Sequence, residues 1–222
     1  MSNLEKIEEI FEAVRVKVTP TPDERRRVEA LAEKLRSKLE GLLADRGLPA
    51  EVRVEGSIAK DTWLRKDADI DIFMLVPEET PRDKLSKDYL EAAREILKNY
   101  RVVERFAEHP YVEAWVTSNL RVNIVPCYKV KPPNWKSATD RTPYHTEYVK
   151  AKLDEKGKGE VRLLKRYMKG VNVYGSDIKT GGFSGYLTEL LILIYGSFLE
   201  TLKAASQWKD GEILDLEGFY EG

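Results

Sequence analysis

Two aspartates and a Gly-Ser pair upstream of them are the residues of this chain whose types and spacing could do chemistry. Asp69 and Asp71 open the otherwise apolar run Ile70–Val76. Side chains alternate along a strand, so both carboxylates point to one face. They repel each other, and a divalent cation such as Mg2+ relieves that repulsion through hard oxygen ligands. Gly56 and Ser57 offer backbone N–H groups and a hydroxyl to a phosphate. The pattern predicts a metal–nucleotide site.

A third polar residue, Asn123, interrupts another apolar run and could approach the aspartates if the two strands are neighbours. A two-metal site for nucleotidyl transfer needs about three carboxylates. An amide oxygen can ligate Mg2+, but it brings no charge and cannot accept a proton from the nucleophile. Two plainer interpretations stay open: Asp69 and Asp71 as solvent-facing acids at a strand end, and Asn123 as a hydrogen-bonded residue at the core edge.

The composition sets the class of protein. The chain has 222 residues, 42% of them apolar and 34% charged, with a net charge of -1. That length holds one large domain or two small ones. With so small a net charge, the protein as a whole does not attract nucleic acid, so RNA contacts require a local basic patch. The charged fraction is typical of thermophile surfaces.

Cys127 is the only cysteine, which excludes an intrachain disulfide and favours a buried thiol. Without a secretory segment or a long apolar stretch, we expect a cytoplasmic protein that contacts no membrane.

Hydrophobic periodicity predicts an α+β region followed by helices. The predicted strands are Glu51–Glu55, Ile70–Val76, Arg101–Ala107, Tyr111–Thr117 and Leu120–Val125. The predicted helices are Asn3–Arg15, Thr21–Arg46, Pro81–Tyr100, Tyr144–Leu153, Glu160–Val171 and Tyr186–Ala205. The loop Lys131–Asn134, with two prolines, predicts a domain boundary near it, giving a mixed-sheet domain over 1–135 and a helical domain over 136–222.

Other polar residues permit two interpretations each. His145 stands at a predicted helix start, a place suited to binding a sugar or phosphate. His109 is better explained as a structural histidine. Lys165 shares a helix with Arg166 and Lys169, and an ordinary solvated face explains the three as well.

Several blocks together resemble a known family. The Gly-Ser, spacer, Asp-x-Asp pattern resembles the nucleotidyltransferase signature of the polymerase-β superfamily. The chain is more closely similar to the archaeal (class I) CCA-adding tRNA nucleotidyltransferases. The matching blocks, in the family's order, are Gly56–Leu64, Ala107–Val112, Val125–Tyr128, Asp140–His145, Glu160–Lys165, Val173–Gly175 and Gly182–Tyr186.

The resemblance implies a fold, a reaction and a role for each matching residue. The fold would be a polymerase-β-like nucleotidyltransferase domain followed by a helical, truncated central domain. The reaction would be the template-independent addition of CCA to tRNA 3′ ends from CTP and ATP with Mg2+, in a possible homodimer. Asp69 and Asp71 would bind metal. The nucleotide would be contacted by Gly56, Ser57, Lys60, Thr142, His145, Lys165 and Tyr174.

Two departures from the family pattern bear on activity. Asn123 stands where the family has its third catalytic and metal-binding carboxylate, and family members are about twice as long. We therefore expect impaired transfer with nucleotide binding largely spared. The alternatives are a catalytically inactive NTP- or RNA-binding module, or another nucleotidyltransferase of the same superfamily.

Overall fold

A computed structural model describes residues 3–106, 110–177 and 179–219. Contacts divide the chain into two compact units, one made of residues 20–147 and the other of residues 1–19 with 148–222. This division differs from the predicted 135/136 boundary in two places. The first helix groups with the later helices, and residues 136–147 group with the sheet.

The first unit is built on a mixed five-stranded sheet. Its strands are β1 (Glu51–Glu55), β2 (Ala68–Val76), β3 (Arg101–Phe106), β4 (Pro110–Thr117) and β5 (Leu120–Tyr128). The spatial order is β1-β2-β5-β4-β3. The pairing of β2 with β5 is parallel, and the other three pairings are antiparallel. The expected mixed sheet with helices is confirmed.

One face of this sheet is covered by helices and forms the core. The helices of this unit are α2 (Pro22–Asp45), α3 (Gly56–Ala59), α4 (Arg82–Lys84) and α5 (Leu90–Leu97). A π-helical turn (Leu85–Tyr89) joins α4 to α5, so the predicted helix Pro81–Tyr100 is present from Arg82 to Leu97 with a π-helical segment inside it. Alternate residues of β2 and β5 point to this side and are fully buried with α2 and α5, among them Ile70, Ile72, Met74 and Ile124.

Asp140 fixes the loop that follows β5. It is 1% exposed, and its carboxylate accepts backbone N–H groups from Tyr128, Lys136 and Ser137 at 2.8, 2.9 and 2.8 Å. Charge-assisted bonds of this kind stabilise by about 1.5–3 kcal/mol each. Asp140 thus has a structural role, and α6 (Thr142–Lys152) begins two residues after it.

The second unit is helical and has its own core. It contains α1 (Asn3–Val18), α7 (Glu155–Gly170), α8 (Gly185–Tyr195) and α9 (Phe198–Ala205). The carboxylate of Glu160 on α7 accepts a hydrogen bond from Arg15 at 2.6 Å and one from the Phe198 backbone N–H at 2.8 Å. This buried carboxylate joins α1, α7 and α9, which explains why α1 belongs to the helical unit.

The predicted single helix Tyr186–Ala205 is wrong, because it is broken between α8 and α9. Gly196 has a φ of 80° and ends α8, and the Ser197 hydroxyl accepts the Glu200 N–H at the start of α9. A left-handed glycine followed by an N-cap serine ends one helix and begins the next. Within the described residues, no single helix is long and apolar enough to cross a membrane; α8 and α9 pass that test only as a pair bent by 94°.

Candidate active site

The parallel pairing of β2 with β5 brings the predicted polar residues together. Asp69 lies opposite Arg121, and Asp71 lies opposite Asn123. Each pair shares the sheet face that points away from Ile70, Ile72 and the helices, because side chains alternate along a strand. The sequence predicted that Asn123 approaches the aspartates if the two strands are neighbours. The structure shows that β2 and β5 are neighbours and that Asn123 lies beside Asp71.

Asp71 is held closely by its neighbours. The Asn123 Nδ2 donates a hydrogen bond to Asp71 Oδ1 at 2.9 Å. On the other side lies Gly56, whose φ is +68° and where a Cβ would stand 2.2 Å from Asp71 Oδ2. Glycine at this position thus permits both a left-handed backbone and the close approach of the carboxylate.

The environment of Asp71 opposes its charge. As a residue it keeps some accessible surface, but burial of its carboxyl group raises its pKa to about 7. The hydrogen bond from Asn123 and the charge of Lys60 lower the pKa, while the negative charge of Asp69 raises it further. When burial disfavours the charged form of a carboxylate, a bound cation stabilises that charged form more than it would stabilise an exposed carboxylate.

We predict that, without divalent ions, the stability of the protein falls as pH rises from about 4 to about 7. The folded pKa of Asp71 near 7 lies above its ordinary 3.8, so in this range the folded state holds a proton that the unfolded state has released. Thermal melts in EDTA would compare the protein with Asp71→Asn. The variant should gain about 1 kcal/mol or more relative to the parent over this range. Identical pH profiles would show that Asp71 carries no such shift.

Arg121 engages Asp69 and was assigned no role from the sequence. Its Nε and Nη2 atoms donate to Asp69 Oδ1 and Oδ2 at 2.7 and 2.8 Å, a bidentate ion pair. The two side chains are 41% and 35% exposed, so the pair is open to solvent and contributes at most about 1 kcal/mol. One signal could have revealed it: Arg121 is two residues from Asn123 and therefore lies on the same face of β5.

The oxygen donors around Asp71 fit a divalent cation. Asn123 Oδ1 is buried and has no hydrogen-bond partner among the described residues. That amide oxygen and the carboxylates of Asp69 and Asp71 are hard-oxygen donors of the kind a divalent cation takes, although in this structure the amide nitrogen of Asn123 faces Asp71 and Arg121 holds both oxygens of Asp69. Within the described part of the chain, no three His, Cys, Asp or Glu side chains form a metal-binding group. The site therefore offers two carboxylates rather than three.

The other predicted contacts of the sheet unit lie on α3 and α6 and in the turn after α3. Ser57 follows Gly56 directly, and Lys60 stands at the end of α3. Lys60 is buried, and its charge lowers the pKa of Asp71. Thr142 and His145 lie in the first turns of α6 and are partly exposed. The neighbouring Thr146 accepts a hydrogen bond from the Gly56 N–H at 3.4 Å, a contact the sequence did not predict.

Lys165 and Tyr174 belong to the helical unit, and their roles at the nucleotide stay predictions. Lys165 is 3% exposed, and its Nζ lies 3.6 Å from Glu189 Oε1 on α8. The solvated-face interpretation is therefore wrong for Lys165, although it holds for the exposed Arg166. Tyr174 is partly buried beside Lys169, whose Nζ lies 5.0 Å from the ring centroid. His109 lies outside the described residues.

Two family models match the chain. The nucleotidyltransferase domain matches residues 33–145, and the second domain of tRNA nucleotidyltransferase matches residues 159–221. The first covers the β2–β5 site, and the second covers α7 to α9.

Archaeal proteins named CCA-adding enzyme are similar over nearly the whole chain. The Archaeoglobus fulgidus protein is 43% identical over 213 residues, which are 95% of this chain and 46% of that protein. The Methanothermobacter thermautotrophicus protein is 42% identical over 208 residues, 92% of this chain and 46% of the relative. The chain thus spans less than half the length of the curated relatives it matches.

Solved nucleotidyltransferase structures share the fold. A structure of Cid1, described by its RNA terminal uridylyl transferase activity, superposes with a TM-score of 0.63 at 18% identity, covering 86% of this chain and 52% of that one. A complex of CdnC from E. coli MS115-1 with HORMA-deltaN gives a TM-score of 0.62 at 20% identity, covering 95% and 78%. At these identities the likeness shows the fold alone. The family comes from the family models and the curated relatives. This chain belongs to the nucleotidyltransferase family, and the resemblance to archaeal CCA-adding enzymes is confirmed.

Proposed function

We propose that the chain is the nucleotide-binding and catalytic part of a CCA-adding enzyme, which adds cytidine and adenosine to tRNA 3′ ends from CTP and ATP and releases pyrophosphate. The observation that carries this is the arrangement of Asp71. Its carboxylate lies between the Gly56 backbone and Asn123, with Asp69 two residues away on the same face. A triphosphate held at the Gly56-Ser57 turn would lie beside both carboxylates.

Each residue then has a task in binding or positioning. The Ser57 hydroxyl and the Lys60 ammonium would bind the triphosphate, because phosphate oxygens prefer charge-assisted and hydroxyl donors. Thr142 and His145 would contact the nucleoside. Lys165 and Tyr174 would contact the triphosphate. Gly56 leaves room for Asp71.

Asp69, Asp71 and the amide oxygen of Asn123 would hold Mg2+, which when bound neutralises charge on the triphosphate and lowers the pKa of the attacking hydroxyl. An amide at position 123 adds no negative charge and accepts no proton. We therefore infer that this chain binds nucleotide well and transfers it slowly.

A catalytically inactive NTP- or RNA-binding module is the second candidate. Two contacts favour it: Asn123 donates its amide N–H to Asp71, and Arg121 holds both oxygens of Asp69. In this arrangement β5 gives each aspartate a positive or neutral partner, Arg121 for Asp69 and Asn123 for Asp71. Catalysis with two metal ions would require a third carboxylate there.

Isothermal titration with ATP and CTP in Mg2+, followed by a transfer assay on tRNA that lacks its 3′ CCA, tests the proposal. We expect binding by the parent protein and loss of its metal-dependent part in Asp71→Ala. Asp88→Ala, at a partly exposed aspartate of the π-helical turn, is the matched control and should bind as the parent does. A folded protein that gives no heat with millimolar nucleotide would contradict the proposal, and binding with no transfer would favour the inactive module.

A further inference from the structure

Among the described residues of the helical unit, four charged side chains are buried, although burying a charge is costly unless the charge is paired. Three lie on α7 and one lies on α8: Glu160, Arg162, Lys165 and Glu189. Glu160 has a structural explanation, because its carboxylate joins α1, α7 and α9 through Arg15 and the Phe198 backbone. Glu189 is the other buried carboxylate of this set, and it lies beside Lys165.

Lys165 and Glu189 form a buried ion pair rather than a short hydrogen bond. The Lys165 Nζ lies 3.6 Å from Glu189 Oε1, and the two side chains are 4% and 1% exposed. Charge-assisted N–H···O bonds are shorter, about 2.7–2.9 Å. Opposite charges at the longer distance still attract each other in a buried environment, because water and salt screen them weakly there. Glu189 thus stabilises the charge of the ammonium and takes none of its three N–H donors in a short bond.

Apolar side chains flank the pair on both helices. Within one turn of Lys165 or Glu189, the buried residues of the core are Leu164, Met168, Leu191 and Ile192. In such surroundings an ammonium that lacks a carboxylate partner is disfavoured relative to the neutral amine. The carboxylate of Glu189 therefore offsets the cost of burying the charge of Lys165.

The other titratable groups around the pair are cations, are already paired or are uncharged. They are Arg162 and Lys169 within one turn of Lys165, Tyr186 within one turn of Glu189, Arg15 with Glu160 where α1 meets α7, and Glu200 with Lys203 on α9. Both acids in this set have cationic partners of their own. Burial raises the pKa of Tyr186, and Tyr148 and Glu189 add to that effect, so this phenol is uncharged near pH 7. Glu189 is thus the buried carboxylate placed to keep Lys165 charged.

We propose that Glu189 is a positioning residue for phosphate binding, which keeps the buried ammonium of Lys165 charged and oriented for the oxygens of a triphosphate. A purely structural pair is the plainer explanation, but a buried ion pair gives little net stability over apolar side chains of similar size. A buried lysine offers a ligand only a small part of its surface, so the direction of its N–H groups has to be fixed. The contact between Lys165 and the triphosphate rests on the proposed function.

Titration of Glu189→Gln with ATP and with inorganic tripolyphosphate, both without Mg2+, tests this role. The substitution leaves the buried ammonium without its carboxylate, and the pKa of Lys165 should fall because burial favours the neutral amine. Below its pKa the ammonium is still charged. The ratio of the variant's Kd to the parent's Kd should therefore be smallest at about pH 6 and rise to on the order of tenfold at about pH 9. Taking this ratio at each pH removes the titration of the phosphates themselves.

Further variants separate positioning from a loss of structure. Glu189→Asp keeps the negative charge one methylene further away, so it should show a smaller rise with pH and carries the test if Glu189→Gln does not fold. Combining Lys165→Met with Glu189→Gln leaves no charge in the pair, so this double variant should fold and bind tripolyphosphate no more weakly than Lys165→Met alone. Glu160→Gln is the matched control, because it makes the same chemical change at the structural carboxylate of α7. It should lower the melting temperature and leave the pH profile of the Kd unchanged.

The outcomes distinguish this role from the proposed function. If folded Glu189→Gln and Glu189→Asp proteins followed the parent's Kd at every pH, the positioning role would be overturned, and ATP binding by the parent would leave the proposed function standing. A further loss of affinity when Glu189→Gln is added to Lys165→Met would also contradict the role, since Glu189 would then act independently of Lys165. Tripolyphosphate binding that depends on both residues, in a protein that transfers no nucleotide, would uphold the role and overturn the proposed transfer. A parent protein that binds neither ligand would overturn both.

Discussion

Asn123→Asp is expected to raise CMP and AMP transfer on the order of a thousandfold, which corresponds to about 4 kcal/mol of transition-state stabilisation. The substitution supplies a third carboxylate next to Asp71, whose Oδ1 lies 2.9 Å from the present amide nitrogen. A carboxylate there adds negative charge to the donor set and accepts the proton of the attacking hydroxyl. Single-turnover assays with radiolabelled CTP or ATP and tRNA lacking its CCA end measure the rate.

A second measurement on Asn123→Asp does not depend on turnover. Without divalent ions, the introduced carboxylate would face Asp71 in place of an N–H donor, and the repulsion should lower the melting temperature. Adding Mg2+ or Mn2+ should then raise the melting temperature of the variant more than that of the parent. Asn134→Asp, in an exposed loop, is the control and should leave both transfer and ion response unchanged. Equal transfer rates and equal ion responses in Asn123→Asp and the parent would show that residue 123 does not limit the site.

The sequence predicted the elements of the site because their signals are local. Alternating side chains put Asp69 and Asp71 on one face, and the Gly-Ser pair marks the point after β1 where the short helix α3 begins. A capping box at Thr21 and Glu24 likewise begins α2 at the predicted start of the helix Thr21–Arg46. Such features depend on residues a few positions apart, and each is therefore visible in the chain itself.

Contacts between distant strands and helices could not be predicted in the same way. The partner of Asp69 depends on β2 pairing with β5 rather than with β3, and no local pattern sets that choice. The burial of Lys165 depends on Glu189, which lies on another helix further along the chain. The break at Gly196 is different, because glycine followed by serine is visible in the sequence; the single-helix prediction rested on the apolar pattern and did not take this pair into account.

Gly56→Ala is expected to abolish the metal-dependent part of nucleotide binding and to reduce transfer at least a hundredfold. The added Cβ would lie 2.2 Å from Asp71 Oδ2 and 3.1 Å from its Cγ, so the carboxylate must leave its position. Alanine at a φ of +68° also strains the backbone by about 1–2 kcal/mol. Positioning errors near 1 Å typically cost about a hundredfold in rate. Titration with ATP in the presence and absence of Mg2+ measures the binding change, and the transfer assay measures the rate.

A matched glycine separates the loss of space at Gly56 from a general cost of alanine. Gly41 lies within α2, and apart from the adjoining residues and backbone of its own helix nothing lies within 4 Å of the position a Cβ would take. Gly41→Ala should bind nucleotide as the parent does and gain about 0.5–1 kcal/mol in stability, because alanine favours a helix. If Gly56→Ala kept full metal-dependent binding, the carboxylate of Asp71 would have room to shift without loss. The close approach at Gly56 would then be a feature of packing. The only support for Asp71 as the central metal ligand would be its proximity to Asp69 and Asn123.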